Sequence, residues 1–450
     1  MKRWSLALTI GVIGILLGFA GQASAQGFGV YEQGACTMGR GGAAVASPCA
    51  DGTAVYFNPA GLSFEKRQIH LGGTLIGPTG DFTNVGTNAV SKLEKEWYPV
   101  PNVFFTTPLT SKVAAGIGVF APYGLTAEWP DTAEGRYLGY KSVVQGVYIQ
   151  PTLAWKASDK LSFGIGLDIT YLNVQLRQRV DLSVQPITGT TMTFANLGVK
   201  AGTDFADVNL TGHAWHAGAH VGVLYRATDR VSLGARVMLG QKIKVTNGKI
   251  ETQQIATPYV LPIALAPTLP AGTPIDLLVK PQFATGGKLS NQNATAEIPM
   301  PLQAAAGLAY QVTPKVKLLA DYQFVQWSKF ATLPINGEFL QKTIIESYKD
   351  THGLRLGTEI SLGEKTVARI GLDFHSAAAP EQTVTPNLPE GVRQELALGL
   401  GRQLTPHMRL DVGYLYLKQP ERAGRSLDGP NNGVYKFGAN LLSAALSFAF

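Results

Sequence analysis

Phe163-Gly164-Ile165-Gly166-Leu167-Asp168-Ile169-Thr170-Tyr171 puts every large apolar side chain on one parity and glycine, aspartate and threonine on the other. Period two is the mark of a strand with one apolar and one polar face. The pattern returns where Ala368, Ile370, Leu372 and Phe374 alternate with Arg369, Gly371 and Asp373. It returns again where Leu410, Val412, Tyr414 and Tyr416 alternate with Arg409, Asp411 and Gly413. A soluble sandwich would bury the apolar face, whereas a membrane barrel would turn it to lipid. Alternating runs of about nine to eleven residues fit a bilayer better than the five or six usual in soluble strands.

Working outward from these strands, a short polar turn recurs. It reads Leu109-Thr110-Ser111-Lys112, Ala157-Ser158-Asp159-Lys160, Ala227-Thr228-Asp229-Arg230, Val312-Thr313-Pro314-Lys315, Leu362-Gly363-Glu364-Lys365 and Leu404-Thr405-Pro406-His407. Each is a hairpin signal, and together they join twelve strands. Between the hairpins lie long Gly/Pro/Asn-rich stretches, at 78–96, 124–141, 181–209, 253–293, 331–342, 378–390 and 420–433. Short turns on one rim and long loops on the other are the asymmetry of an outer-membrane barrel. One further strand at each end, near Arg67–Ile76 and Tyr435–Phe450, brings the expectation to about fourteen. In the last strand Leu442, Ala444, Leu446, Phe448 and the terminal Phe450 share a parity. That ending resembles the signal outer-membrane proteins present to the barrel-assembly machinery.

The N-terminus agrees with export. Lys2 and Arg3 precede an apolar run from Leu6 to Ala20, and Ala23-Ser24-Ala25 offers small residues for cleavage. Residues 1–25 therefore read as a secretory signal peptide, the alternative being a membrane anchor. Beyond Ala25 no apolar run is long enough for a spanning helix. Yet the chain is 45% hydrophobic and only 15% charged, with 51 glycines and a mean hydropathy of +0.07. Ordinary soluble domains carry about 25% charge. The net charge of +7 falls to +5 without Lys2 and Arg3 (7 − 2), and no basic run points to nucleic acid. Cys36 and Cys49, the sole cysteines, would meet an oxidising periplasm and are expected to form a disulfide.

Several ordered elements carry a family resemblance. They are Gly39-Arg40-Gly41-Gly42-Ala43-Ala44, the stretch Asp51-Gly52-Thr53-Ala54-Val55-Tyr56-Phe57-Asn58-Pro59-Ala60-Gly61-Leu62, Ala121-Pro122-Tyr123-Gly124-Leu125, and Trp327-Ser328-Lys329-Phe330. Read in order with the closing strand, the chain resembles the long-chain fatty-acid transporter family of outer-membrane proteins, the FadL type. The resemblance implies a fourteen-stranded barrel over 65–450, plugged by an N-terminal hatch over 26–64. It also implies that ligand leaves sideways, beside an inward kink in the third strand. Asn58, Pro59 and Ala60 become candidates for gating. Gly116, Gly118, Phe120, Pro122, Tyr123 and Gly124 become candidates for a side portal; Pro122 lacks an N–H and glycine tolerates a sharp bend. The plainer reading is that Pro122 ends a strand at the rim.

Enzyme chemistry finds no support, since nucleophile-elbow, zincin and Walker motifs are lacking. His213, His216 and His220 invite a metal reading, but only His216 and His220 share a strand face, roughly 13 Å apart. Neither a metal nor a cofactor is expected. Arg236, Lys317, Arg355, Arg369, Arg393 and Arg409 share the polar parity with Asp168, Asp321, Asp373, Asp411, Glu359 and Glu395. That balance favours ion pairs bracing the lumen, because a charge facing lipid costs roughly 2–4 kcal/mol near the midplane. Residues 255–280 are apolar but broken by Pro258, Pro262, Pro267, Pro270 and Pro274, which rules out a continuous helix. So greasy a loop needs another loop or a ligand to cover it. Arg177 and Arg179 are candidates for a ligand carboxylate, where the fifth strand turns inward or leaves the bilayer.

The leading expectation is passive uptake of fatty acids or hydrocarbons through the outer membrane of a bacterium by a monomeric barrel set in lipid and lipopolysaccharide. An adhesive barrel and a general porin are the alternatives. Single-channel conductance separates the porin, which conducts steadily.

Overall fold

The computed structural model describes residues 27–94, 96–187, 190–424 and 432–450. The signal-peptide reading of 1–25 lies outside them. Fourteen antiparallel strands close into a barrel, the first pairing with the last from Gln68↔Ala449 to Asn84↔Gly433. In order they are Gln68–Asn84, Tyr98–Pro108, Val113–Glu128, Lys141–Lys156, Leu161–Val180 and Ala206–Arg226. The seventh runs through Val231–Met238 and Gln241–Gln254, and the eighth through Gln292–Met300 and Gln303–Thr313. The ninth is Val316–Val325 with Thr332–Gly337, and the tenth Gln341–Ile345 with Thr351–Ser361. Thr366–His375, Arg393–Gln403, Met408–Gly424 and Gly433–Ala449 complete the ring.

Alternation sets the facing. Ile165 is 57% exposed and Leu167 49%, while Asp168 and Thr170 on the other parity are 0%. The apolar parity therefore faces outward and the polar parity inward, the inverse of a soluble core. All six polar turns fall where two strands meet at the short rim. In five of them a Ser or Thr hydroxyl accepts the N–H three residues on, as Thr110 does from Val113 (3.0 Å) and Thr405 from Met408 (3.0 Å). That bond closes the turn locally, which is why it recurs.

The long-loop rim departs from the expected boundaries. Strand pairing continues to Asn84 inside the stretch read as loop 78–96, where Val90–Lys92 folds back onto Asp81–Thr83. The stretch 331–342 holds most of a hairpin, Thr332–Gly337 against Gln341–Ile345, in place of a loop. Strands of up to 21 residues exceed the roughly 10 that cross a bilayer. Their outer ends stand clear of lipid, and nothing there imposes the alternation that makes a strand readable.

Residues 27–64 fold inside the barrel. They form two helical turns, Ala35–Met38 and Ala54–Phe57, and a 3-10 turn, Pro59–Phe64. Cys36 and Cys49 are bonded, with Cα atoms 6.4 Å apart. Wall glycines make the room. Gly357, Gly371, Gly399 and Gly413 lie on four successive strands, and a Cβ at Gly371 would stand 2.1 Å from the Arg40 carbonyl carbon. Gly164 and Gly222, paired across strands five and six, do the same for Asn58–Pro59–Ala60. Reduction of the disulfide is expected to cost this inner segment about 3 kcal/mol in the chain-entropy model. The check is limited proteolysis of reduced, lipid-embedded protein. New cuts between 36 and 49 are expected, and an unchanged pattern would mean packing alone holds the loop.

Candidate functional site

The second and third strands part company halfway up the wall. Their ladder runs from Pro108↔Ala114 to Val103↔Val119 and stops. Above, Glu94 N–H donates to the Glu128 carbonyl at 2.8 Å. Among the described residues, no ladder pairing joins 96–102 to 120–127. On its other side the third strand stays paired to the fourth, but the register slips between Phe120↔Tyr148 and Tyr123↔Gly146. Ala121 and Pro122 thus form a bulge opposite Val147, and Pro122 has no N–H to lose there. A cavity of about 430 Å³ fills the gap. Pro99, Val100 and Pro101 line one side and Ala121, Gly124 and Leu125 the other. Inward it reaches Glu32 and Arg393, its polar end, beside apolar Leu417 and Phe437. Burial pushes the Glu32 carboxyl above its ordinary range, opposed by Arg393 and Arg355.

The first described residues of the inner segment seal one lip of the gap. Val30 N–H donates to Pro122 C=O, and Gly124 N–H to Phe28 C=O, both at 2.9 Å. Gln33 Nε2 donates to Ala121 C=O at 2.8 Å. Phe28 in turn packs into an aromatic socket, with ring centroids 4.7 Å from Trp327, 5.7 Å from Phe330 and 6.0 Å from Tyr123. Trp327-Ser328-Lys329-Phe330, quoted from sequence without a role, supplies most of that socket. Glu390 holds the segment's start, accepting the amides of Gly27 (3.0 Å), Ala378 (2.9 Å) and Ala379 (2.9 Å), while Arg393 donates to the Gly29 and Gly27 carbonyls. Burial raises the Glu390 carboxyl against those bonds. Neither Glu390 nor the Pro99/Pro101 pair carries a sequence signal beyond residue type.

The residues singled out from sequence divide between three places. Pro122, Tyr123 and Gly124 lie at the gap, and the Tyr123 hydroxyl donates to Pro301 C=O at 2.7 Å. Gly116 and Gly118 lie below it, paired regularly as Thr106↔Gly116 and Phe104↔Gly118. Both abut Val55 of the inner segment, so they serve close approach and not a bend. Phe120 is the last residue before the bulge and stacks between Phe104 and Tyr148. Asn58, Pro59 and Ala60 sit toward the short-turn rim. There Asn58 Nδ2 donates to Val45 C=O (2.8 Å) and Val223 C=O (3.0 Å), and its Oδ1 accepts Ala60 N–H.

Arg177 and Arg179 do not bulge inward; the fifth strand keeps one register with the sixth from Leu161↔Tyr225 to Val180↔Ala206. Both keep the outward parity beyond the bilayer. Arg177 pairs with Asp207 at 2.7 Å, and Arg179 with Asp131 at 2.5 Å and Asp207 at 3.3 Å. A small cavity of about 50 Å³ nearby is lined by Arg177, Leu176, Leu210, Ile335 and Lys342. The apolar loop 253–293 is partly self-packed: Leu261, Ile275 and Val279 are buried, Val260, Ile263 and Leu277 exposed. His213 bonds Asn247 and His220 bonds Gln150, on opposite faces of the wall.

A closed barrel with an apolar outside, charges buried on its inner face and an apolar cavity beside a gap between two wall strands defines an outer-membrane barrel. The chain belongs to the family described as outer membrane protein transport protein (OMPP1/FadL/TodX), whose model matches residues 16–450. It is 24% identical over 443 residues to the long-chain fatty acid transport protein of Escherichia coli (strain K12), covering 92% of each chain. It is 23% identical to outer membrane protein P1 of Haemophilus influenzae, covering 89% of this chain and 87% of that one. Among solved structures, a Pseudomonas aeruginosa FadL homologue matches with a TM-score of 0.79 at 18% identity, covering 94% and 100% of the two chains. The Pseudomonas putida toluene transporter TodX matches at 0.70 and 16%, covering 94% and 99%. The relatives are outer-membrane transport proteins and not enzymes.

Proposed function

We propose that this protein takes up hydrophobic small molecules, long-chain fatty acids or hydrocarbons, and releases them sideways into the outer membrane. The observation that carries the reading is the bounded gap between Val103↔Val119 and the Glu94–Glu128 bond, with its apolar cavity. An apolar solute meets a barrier in the polar sugar layer outside, and a side exit delivers it straight to acyl chains. Residues 27–64 act as the hatch: they fill the lumen, so the straight path to the periplasm is closed to solutes of any polarity. Phe28, seated in the Trp327 socket and bonded to the lip at Gly124, is the part of the hatch a passing ligand would move. Named relatives transport fatty acids and toluene, which brackets the substrate class.

Removing Pro122 tests the exit. One residue fewer restores the alternation Phe120-Ala121-Tyr123 and cancels the register slip against the fourth strand. Uptake of radiolabelled palmitate and of radiolabelled toluene by cells is expected to fall roughly tenfold or more, since a third strand without its bulge no longer swings away from the second and the gap narrows. Binding to purified protein should persist. Full uptake by a folded Pro122 deletion would exclude the side exit, and the palmitate-to-toluene ratio of the wild type identifies the substrate.

A further inference from the structure

An opening in a barrel wall has two lips, and only one is sealed by the hatch. The other is the edge of the second strand. Its orientation follows from the turn below, where Leu109 N–H donates to Val113 C=O at 2.8 Å. In an antiparallel ladder the backbone groups of alternate residues point to the same side. Residues 109, 107, 105 and 103 therefore address the third strand, and Phe105 C=O indeed lies beside Gly116. The pairing with the first strand is unbroken from Gln68↔Thr106 to Ile76↔Tyr98, so this alternation carries through without a bulge. The next two residues on that edge are Pro101 and Pro99. Within the strand, both positions whose N–H would face the gap have none, Trp97 just ahead of it keeping its own, and Val100 and Asn102 address the first strand.

A bare strand edge in hydrocarbon is unstable because every unpaired group there lacks water. Given donors, the second strand would zip onto the third whenever residues 28–30 withdrew, since the hatch occupies the groups that edge would seek. Movement of the hatch would then close the exit at the moment a ligand needs it. We propose that Pro99 and Pro101 are positioning residues that keep the window from sealing, by removing the two donors a closing ladder requires. The inference rests on the sideways-release reading and adds what holds the path open. A proline in a strand is tolerated only where its missing N–H faces no partner. Two on one edge, both at the gap, cover that edge from the last ladder pair at Val103 to the start of the strand at Tyr98.

The test is the double variant P99T/P101V, which supplies N–H groups and β-formers, with Leu71→Val, on the first strand opposite Val103 and outside the cavity, as a control. In lipid nanodiscs, hydrogen exchange read by mass spectrometry should slow across 98–103 and 120–126 in the double variant alone. Uptake of radiolabelled palmitate or toluene, whichever the wild type carries, should fall roughly tenfold, as two regained backbone bonds would dictate. Binding of the same probe to purified protein should be unchanged. Fast exchange and normal uptake in P99T/P101V would overturn this proposal, and the Pro122 deletion would still judge the exit. Slow exchange with normal uptake would instead overturn the exit itself, because the window would be closed and transport intact.

Discussion

Replacing Gly371 with valine is expected to unseat the hatch and make a closed barrel leak. The Cβ would stand 2.1 Å from both the Arg40 carbonyl carbon and the Gly41 nitrogen, and 2.6 Å from the Arg40 carbonyl oxygen. These are backbone atoms, so no rotamer change relieves the overlap. The wall cannot retreat either, because strand eleven is paired on both sides, Gly357↔Gly371 and Gly371↔Ala397. Overpacking by a methyl group or two costs about 1–3 kcal/mol where a core can adjust, and more where it cannot. The loose party is the inner segment 27–64, held at this point by the Arg40–Glu359 contact of 3.7 Å and by Asp321 accepting the Ala44 and Val45 amides at 2.6 and 2.8 Å. Planar-bilayer recording should show near-silent wild type and steady conductance for Gly371→Val, with Gly371→Ala between them. Ile370→Val, one residue away on the lipid face, should stay silent. A quiet Gly371→Val barrel of normal heat-modifiability would mean that these contacts do not seat the hatch.

How much of this was legible in the sequence depended on whether the cause was local. Alternation in Phe163–Tyr171 and hydroxyl-closed turns such as Thr228 are decided within a few residues, and they survive as read. The inward glycines were visible only as small residues on the polar parity. Their meaning appears when register sets Gly357, Gly371, Gly399 and Gly413 side by side under one segment. Gly116 and Gly118 were given to the portal for the same reason, since a lone glycine does not say whether it bends a chain or admits a neighbour. Arg177 and Arg179 stood on the lipid-facing parity, a sign that the strand had already left the bilayer. Their partners Asp131 and Asp207 lie on distant segments, and spacing could not supply them. At the gap, Pro122 was readable as a break, but Pro99 and Pro101 become informative only once the side of the strand they face is known.

Substituting Arg369 with methionine is expected to destabilise the barrel wall by about 3 kcal/mol. Arg369 reaches Glu359 at 3.0 Å and Asp411 at 2.7 Å, with its own side chain 1% exposed. It is the central link of a chain from Lys317 through Glu359 to Asp411 and Arg409, which Arg40 of the inner segment joins. Methionine keeps most of the packing and removes the charge, leaving two enclosed carboxylates to share the outer cations. Breaking a buried pair by deleting one partner costs about 3–5 kcal/mol, mainly through the charge left behind. Lys317 and Arg409 remain within 3.4 and 2.8 Å of the orphaned acids, which places the expected loss near the lower end, about 3 kcal/mol. Arg369→Lys should fall between, because an ammonium can neutralise one carboxylate but lacks the planar fork that spans both. Urea unfolding of the lipid-embedded barrel measures these steps. The discriminating variant is the triple Glu359→Gln/Arg369→Met/Asp411→Asn, which removes the acids along with the cation and should recover most of the loss. Recovery would assign the cost to unpaired buried charge. A triple variant as weak as Arg369→Met would assign it to the shape of the arginine, and an Arg369→Met barrel as stable as wild type would mean that water reaches the network and screens it.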